Sequence, residues 1–128
     1  MKIKMIFLDT NYLVRALIDD TDEHRRVKEW SHAGIKIYAS SVAWYEFVCG
    51  PLLESGLYSV KKILSGGIIN FDKKQADVAA QLFNGTGRRR SLKTDAMIAA
   101  CAICSGAQLA TANQEDFLLF TPFGLALA

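Results

Sequence analysis

Three carboxylates stand against strongly apolar sequence. Asp9 closes the run Met5-Ile6-Phe7-Leu8, Glu46 lies within Val42-Ala43-Trp44-Tyr45-Glu46-Phe47-Val48, and Asp95 opens Ala96-Met97-Ile98-Ala99-Ala100-Cys101. An unpaired charge taken out of water costs several kcal/mol or takes up a proton. No Lys or Arg falls within these runs, so the partner to look for first is a metal ion. A fourth acid, Asp116, follows the short run Gln108-Leu109-Ala110. If the four converge, each pair of carboxylates ~5 Å apart repels by roughly 3 kcal/mol at an effective dielectric of about 20. A divalent cation reverses that sign. Mg²⁺ prefers hard oxygen ligands and keeps several waters, and Mn²⁺ accepts the same donors. With no Cys or His in the cluster, the set argues against zinc. An acid-only site of this kind suits phosphodiester hydrolysis, in which the metal activates a water and neutralises the scissile phosphate. Each acid taken alone reads equally well as a helix cap or an ion-pair partner.

Cations gather in two places, Arg88-Arg89-Arg90 with Lys93 and Arg25-Arg26 with Lys28. The net charge of +2 is too small to mark a nucleic-acid binder, so distribution matters more than sum. Such runs are commonly solvated surface. Flanking an acidic site, Arg88, Arg89, Arg90 and Lys93 would instead hold the phosphate backbone of a substrate. Cys101 and Cys104 have redox-motif spacing but sit mid-helix and read as core packing, and Cys49 also lies in apolar helical context. His24 and His32 lie on a charged segment away from them.

The elements that must position these residues alternate between strand and helix. Lys4 to Leu8 reads as a buried strand and Asn11 to Ile18 as a helix. Thr21-Asp22 caps a charged surface helix running to about Trp30. Ile35 to Ala39 is a second strand, and Ser40-Ser41 caps the helix carrying Glu46, apolar around most of its girth and so expected to be buried. A break is expected at Pro51. A helix over Tyr58 to Leu64 leads to a short strand, Ile68 to Phe71. Lys74 to Phe83 is amphipathic with Ala76, Ala79, Ala80, Leu82 and Phe83 inward. Leu92 to Ser105 is a helix, Gln108 to Ala110 a strand, Asp116 to Phe120 one helical turn and Leu125 to Leu127 an edge strand. The alternation predicts one α/β domain over residues 1–128, a parallel sheet covered by helices on both faces. Ligands of such sheets bind at the carboxyl ends of the strands, where Asp9 and Thr111-Ala112-Asn113 both fall. No apolar run approaches the ~20 residues that span a bilayer. With no secretory leader pattern, the expectation is a cytoplasmic protein without membrane partners.

The acidic stretches also carry a resemblance. Leu8-Asp9-Thr10-Asn11, Ser41-Val42-Ala43-Trp44-Tyr45-Glu46, Thr94-Asp95-Ala96-Met97-Ile98-Ala99-Ala100 and Leu109-Ala110-Thr111-Ala112-Asn113-Gln114-Glu115-Asp116-Phe117 resemble, in order and spacing, the four motifs of PIN-domain ribonucleases. The length is that of a single-domain VapC-type toxin. The resemblance implies a three-layer α/β/α sandwich with a mostly parallel sheet and Mg²⁺-dependent endonuclease activity on RNA. It implies an acidic pocket built by Asp9, Glu46, Asp95 and the closing motif, with Thr10, Asn11 and Thr111 supporting the ligands. It implies a homodimer and a small antitoxin whose tail enters the pocket. Trp44-Tyr45, Pro51-Leu52-Leu53 and the early charged helix could supply those surfaces, or could be core. In one place the chain departs from the pattern: the closing motif often offers Asp where this chain has Asn113, leaving Asp116 as the fourth carboxylate. Two other readings compete. A haloacid-dehalogenase-type phosphatase would need a second acid where Asn11 stands. A non-catalytic metal- or RNA-binding module would share the fold and draws on Asn113.

Overall fold

The computed structural model describes residues 5–51 and 54–128. Five short strands form its centre: β1 (Met5–Leu8), β2 (Lys36–Ser40), β3 (Gly67–Ile69), β4 (Gln108–Ala110) and β5 (Ala126–Leu127). They pair in the order β3-β2-β1-β4-β5, every neighbouring pair parallel. The expected "mostly parallel" sheet is wholly parallel among the described residues. Ile6, Phe7 and Leu8 are buried without alternation, which is the signature of a strand covered on both faces. β1 holds the central place, with β2 on one side and β4 on the other.

Among the described residues, seven α-helices connect and cover the strands. α1 (Thr10–Ala16) and α2 (Asp22–His32) lie between β1 and β2, and α3 (Ser41–Val48) and α4 (Glu54–Ile63) between β2 and β3. α5 (Lys73–Gly85) and α6 (Lys93–Cys104) lie between β3 and β4, and α7 (Gln114–Phe117) follows β4. The chain crosses the sheet in one direction as far as β3 and in the other from β3 to β5. Right-handed crossovers therefore put α1–α4 on one face and α5–α7 on the other, giving the three-layer α/β/α sandwich.

Local chemistry sets the helix starts. Asp9, Thr21 and Ser40 sit in extended backbone as N-caps, and the Thr21 and Ser40 hydroxyls accept from the backbone N–H groups of His24 and Ala43. Asp72 and Gln75 form a capping box at the start of α5. α3 stops at Cys49, just ahead of Pro51, as its ring demands. Gly87 and Arg88 both carry positive φ (92° and 55°), turning the chain sharply between α5 and the 3-10 turn Arg90–Leu92.

α6 runs through the middle of its layer. Ala96, Ile98, Ala99, Ala100, Cys101 and Ala102 are all buried, and the small side chains let α6 lie close to the sheet and to α5. Cys101 is core as expected, Cys104 is half-buried, and Cys49 is exposed.

Two burial expectations need correction. α3 is not buried around its girth: Ala43 and Phe47 face the core, while Tyr45 is 67% exposed and Val48 and Glu46 are also exposed. Its outer stripe has no covering element among the described residues, and Leu52 and Leu53 lie outside them. On α5, Ala79 and Leu82 are buried and Phe83 half-buried, but Ala76 and Ala80 face outward. Small residues made the inward face read broader than it is.

The close approach of α6 yields a test. Ala99→Leu should overpack this layer and lower stability by about 1–3 kcal/mol, read as a lower urea midpoint with an unchanged slope.

Candidate active site

Asp9 is positioned by the sheet itself. Its N–H donates to the Ala110 carbonyl (3.0 Å), continuing the β1–β4 ladder one residue past β1. There the chain turns into α1, and the carboxylate is held at both oxygens. The Thr10 N–H donates to Oδ1 (2.7 Å) and the Thr111 hydroxyl to Oδ2 (2.8 Å). The Thr111 oxygen also accepts from the Asn113 N–H (2.9 Å), which fixes its proton toward Asp9. Strand order reverses between β1 and β4, so this is the topological switch point where ligands of parallel sheets bind.

Other elements converge on the same edge. Glu46 reaches it from α3, its Oε1 accepting from the Thr10 hydroxyl (2.6 Å). Thr10 thus ties the first two acids together through adjacent groups. Asp95 enters from the first turn of α6. Asp116, on α7, accepts from the Asn113 side-chain amide (2.9 Å). Asn113 is therefore engaged with Asp116.

Electrostatics show that these charges are close and uncompensated. Burial pushes the Asp95 carboxyl up to about 6, and Asp9, Asp116 and Glu46 add to the push in that order. Burial also raises Asp9, opposed by the bonds from Thr111 and Thr10 and reinforced by Glu46. Among the described residues the Lys and Arg ion pairs join Arg15 to Glu23, Arg25 to Asp22 and Lys73 to Asp77, and none reaches the four acids.

This donor set fits a divalent cation: oxygen only, negative in excess and served by no protein cation. No three Asp, Glu, His or Cys side chains among the described residues close on one point tightly enough to enclose an ion. Mg²⁺ does not require that, since it is typically held by one or two carboxylates and keeps several waters.

The expectation that all the acids are buried holds unevenly. Asp9 is 5% exposed, Asp95 and Asp116 are half-buried, and Glu46 is exposed. Glu46 escapes burial because α3 turns an apolar stripe outward and carries the acid on its rim. Of the supporting residues, Thr10, Thr111 and Asn113 make the bonds described. Asn11 is exposed and makes no side-chain hydrogen bond among the described residues. Arg88, Arg89, Arg90 and Lys93 are all exposed and enter none of the ion pairs. Lys93 begins the helix that carries Asp95. The sequence reading passed over Tyr12, one turn after Asp9, which is buried, stacks on Trp30 and lines an opening that Thr111 also lines. Its signal was a hydroxyl-bearing residue in the inward stripe with Leu13 and Ala16.

The PIN domain family profile matches residues 6–119. The chain belongs to the PIN domain family. A comparison with curated proteins found no match. Among solved structures, this PIN domain resembles VapBC2 of Rickettsia felis bound to a promoter DNA fragment (TM-score 0.73, 23% identity, 97% of each chain covered). It resembles DNA-bound VapBC of Salmonella typhimurium (TM-score 0.75, 21% identity, 98% of this chain and 97% of that one). FitAcB of Neisseria gonorrhoeae is similar at 25% identity (TM-score 0.70, 96% of each chain). The expected fold is thereby established.

Burying Asp95 beside other carboxylates has a measurable consequence. The folded Asp95 keeps its proton up to about pH 6, against 3.8 for an unperturbed side chain. The folded state thus binds more protons across that window, and stability is lost as pH rises through it. In metal-free buffer at pH 7, Asp95→Asn should raise stability by about 1 kcal/mol after allowance for solvent screening, roughly 3 °C in Tm. The same substitution should shrink the Tm rise that Mg²⁺ or Mn²⁺ gives the unmutated protein. Thermal scans at pH 4 and pH 7, with and without cation, check both.

Proposed function

We propose that this PIN domain is a Mg²⁺-dependent endoribonuclease, with Mn²⁺ an acceptable substitute, and the toxin of a cytoplasmic toxin–antitoxin pair. The observation that carries the reading is that Asp9, Glu46, Asp95 and Asp116 lie along one sheet edge at the switch point, linked through Thr10, Thr111 and Asn113 and with no Lys or Arg paired to them among the described residues. The family supports nuclease chemistry, and the toxin–antitoxin complexes among similar structures support the biological role.

Asp9 and Asp95 are the ligands best placed in the interior, Asp9 already oriented by Thr10 and Thr111. Glu46, held by Thr10 at the exposed rim, is placed to accept a hydrogen bond from the attacking water. Asp116, steadied by Asn113, completes the negative wall. A bound Mg²⁺ would supply charge neutralisation for the scissile phosphate and a water of lowered pKa. Arg88, Arg89, Arg90 and Lys93 would hold flanking phosphates.

Exposed apolar side chains support the partner reading. Val14 and Ile18 at α1, Tyr45 and Val48 on α3 and Tyr58 on α4 are all exposed, on helices of one sheet face. Joined into one patch, such side chains would form an interaction surface, here for a second copy and a small antitoxin. No helix among the described residues is long and apolar enough to cross a membrane. A non-catalytic metal- or RNA-binding module is the second reading, favoured by an amide at Asn113 where the family often carries Asp.

Purified protein should cleave single-stranded RNA with Mg²⁺ and stop when EDTA is added. Asp9→Asn should reduce the rate by roughly 100-fold or more, about 2.7 kcal/mol of transition-state stabilisation. Equal cleavage by both proteins would reject the mechanism, and binding without turnover across many RNAs would favour the second reading.

Replacing Arg88, Arg89 and Arg90 together with Ala should weaken RNA binding and reduce the slope of log K against log salt by roughly 2. Titration at several salt concentrations measures it, and an unchanged slope would make the run a solvated loop.

A further inference from the structure

The fourth acid rides on a single helical turn, α7. So short a helix has little stability of its own, and Asp116 keeps its place only through what ties the turn down. Phe117 anchors it from below, fully buried and packed edge-on against Phe120 with ring centroids 6.0 Å apart. Asn113 holds it from its start. The Asn113 carbonyl accepts from the Phe117 N–H (3.5 Å), its N–H donates to the Thr111 hydroxyl (2.9 Å), and its side-chain amide donates to Asp116 Oδ2 (2.9 Å).

The last of these bonds is the unusual one. Asn113 occupies the N-cap position of α7 but makes no capping hydrogen bond with its side chain. An Asn there ordinarily turns its oxygen onto the N–H groups of the first turn, which stabilises the helix. Here the amide turns its NH₂ toward the acid instead. An ionised Asp116 can only accept, so its partner must be a donor. A carboxylate at position 113 has no proton to give at neutral pH. It would take up the cap that Asn113 leaves unmade, and its charge would push Asp116 away. The bond to Thr111 would survive, because it comes from the backbone N–H.

We propose that Asn113 is a positioning residue for the metal site, and that its being an amide rather than an acid is what keeps Asp116 on the acidic edge. The inference rests on the metal-dependent reading. The Asp116 charge is felt at Asp95, so the acid that Asn113 holds belongs to the cluster. The same residue reaches the other side of the site. Its N–H fixes the Thr111 hydroxyl, and that hydroxyl donates to Asp9 Oδ2 (2.8 Å). One turn of chain therefore orients an acid at each end. Groups that orient metal ligands from behind set metal affinity. The amide is thus not the remnant of a lost ligand, and a further carboxylate in its place weakens the site instead of strengthening it.

The test measures Mn²⁺ binding from the electron paramagnetic resonance signal of the free ion. It compares the unmutated protein with Asn113→Asp, Asn113→Ala, Asp116→Ala and the double variant Asn113→Ala/Asp116→Ala. All of them keep Phe117 and the backbone bond to Thr111, and thermal unfolding in EDTA checks that each is folded. Asn113→Asp and Asn113→Ala should each bind Mn²⁺ roughly 10-fold more weakly, the first in spite of its added charge. In the Asp116→Ala background, Asn113→Ala should have no further effect, since the group it acts through is gone. Mn²⁺ held by Asn113→Asp as tightly as by the unmutated protein, or more tightly, would overturn the proposal and make position 113 a ligand position. Losses that add in the double variant would also overturn it, because Asn113 would then act elsewhere. The expected pattern in a protein that cleaves no RNA would support the positioning role and overturn the nuclease reading alone. No Mn²⁺ binding by the unmutated protein would overturn both.

Discussion

One hydrogen bond organises this molecule's active edge. The Thr111 hydroxyl donates to Asp9 across 102 positions of sequence, at the place where the sheet reverses its order. Either strand alone would leave its residue at a loose end. Pairing β1 with β4 brings the two together, and the bond offsets part of the penalty for burying the Asp9 carboxylate. Thr10 extends the same anchoring to Glu46 through its hydroxyl while its N–H holds Asp9. Two threonines therefore set the spacing of a charged cluster whose members repel one another.

Burial of the carboxylates first, and that repulsion second, are the structural expense of the site. A folded chain that holds Asp95 well above the ordinary carboxylate range has given up stability at neutral pH. The loss is confined to a few groups at a sheet edge. The layers beneath are plain: an unbroken apolar strand, an alanine-rich helix and caps at the helix starts. Ordinary packing carries the fold, which leaves the edge free to be electrostatically unfavourable until it meets a cation.

The elements were legible where local rules act alone. Strand-helix alternation predicted the parallel sheet, and Thr21, Ser40 and Pro51 marked helix ends within a residue or two. Asp9 and Thr111 were legible as neighbours from the rule about strand ends. Burial was less so. Glu46 looked buried because its helix is apolar all round, yet periodicity cannot say which stripe the rest of the chain covers. The outward Ala76 and Ala80 were misread for the same reason, since alanine is at home on either face. The opening beside Tyr12 was invisible for another reason: it depends on a helix pair and a loop meeting across space.

The four acids come from four separate pieces of the fold, namely the end of β1, α3, the start of α6, and α7. No local fragment carries the set. A chain emerging from the ribosome lacks the complete cluster until α7 has been made and docked, and a chain that loses any one of these helices loses part of it. Any chemistry that needs all four acids is therefore absent from the immature chain and arrives only with the completion of folding.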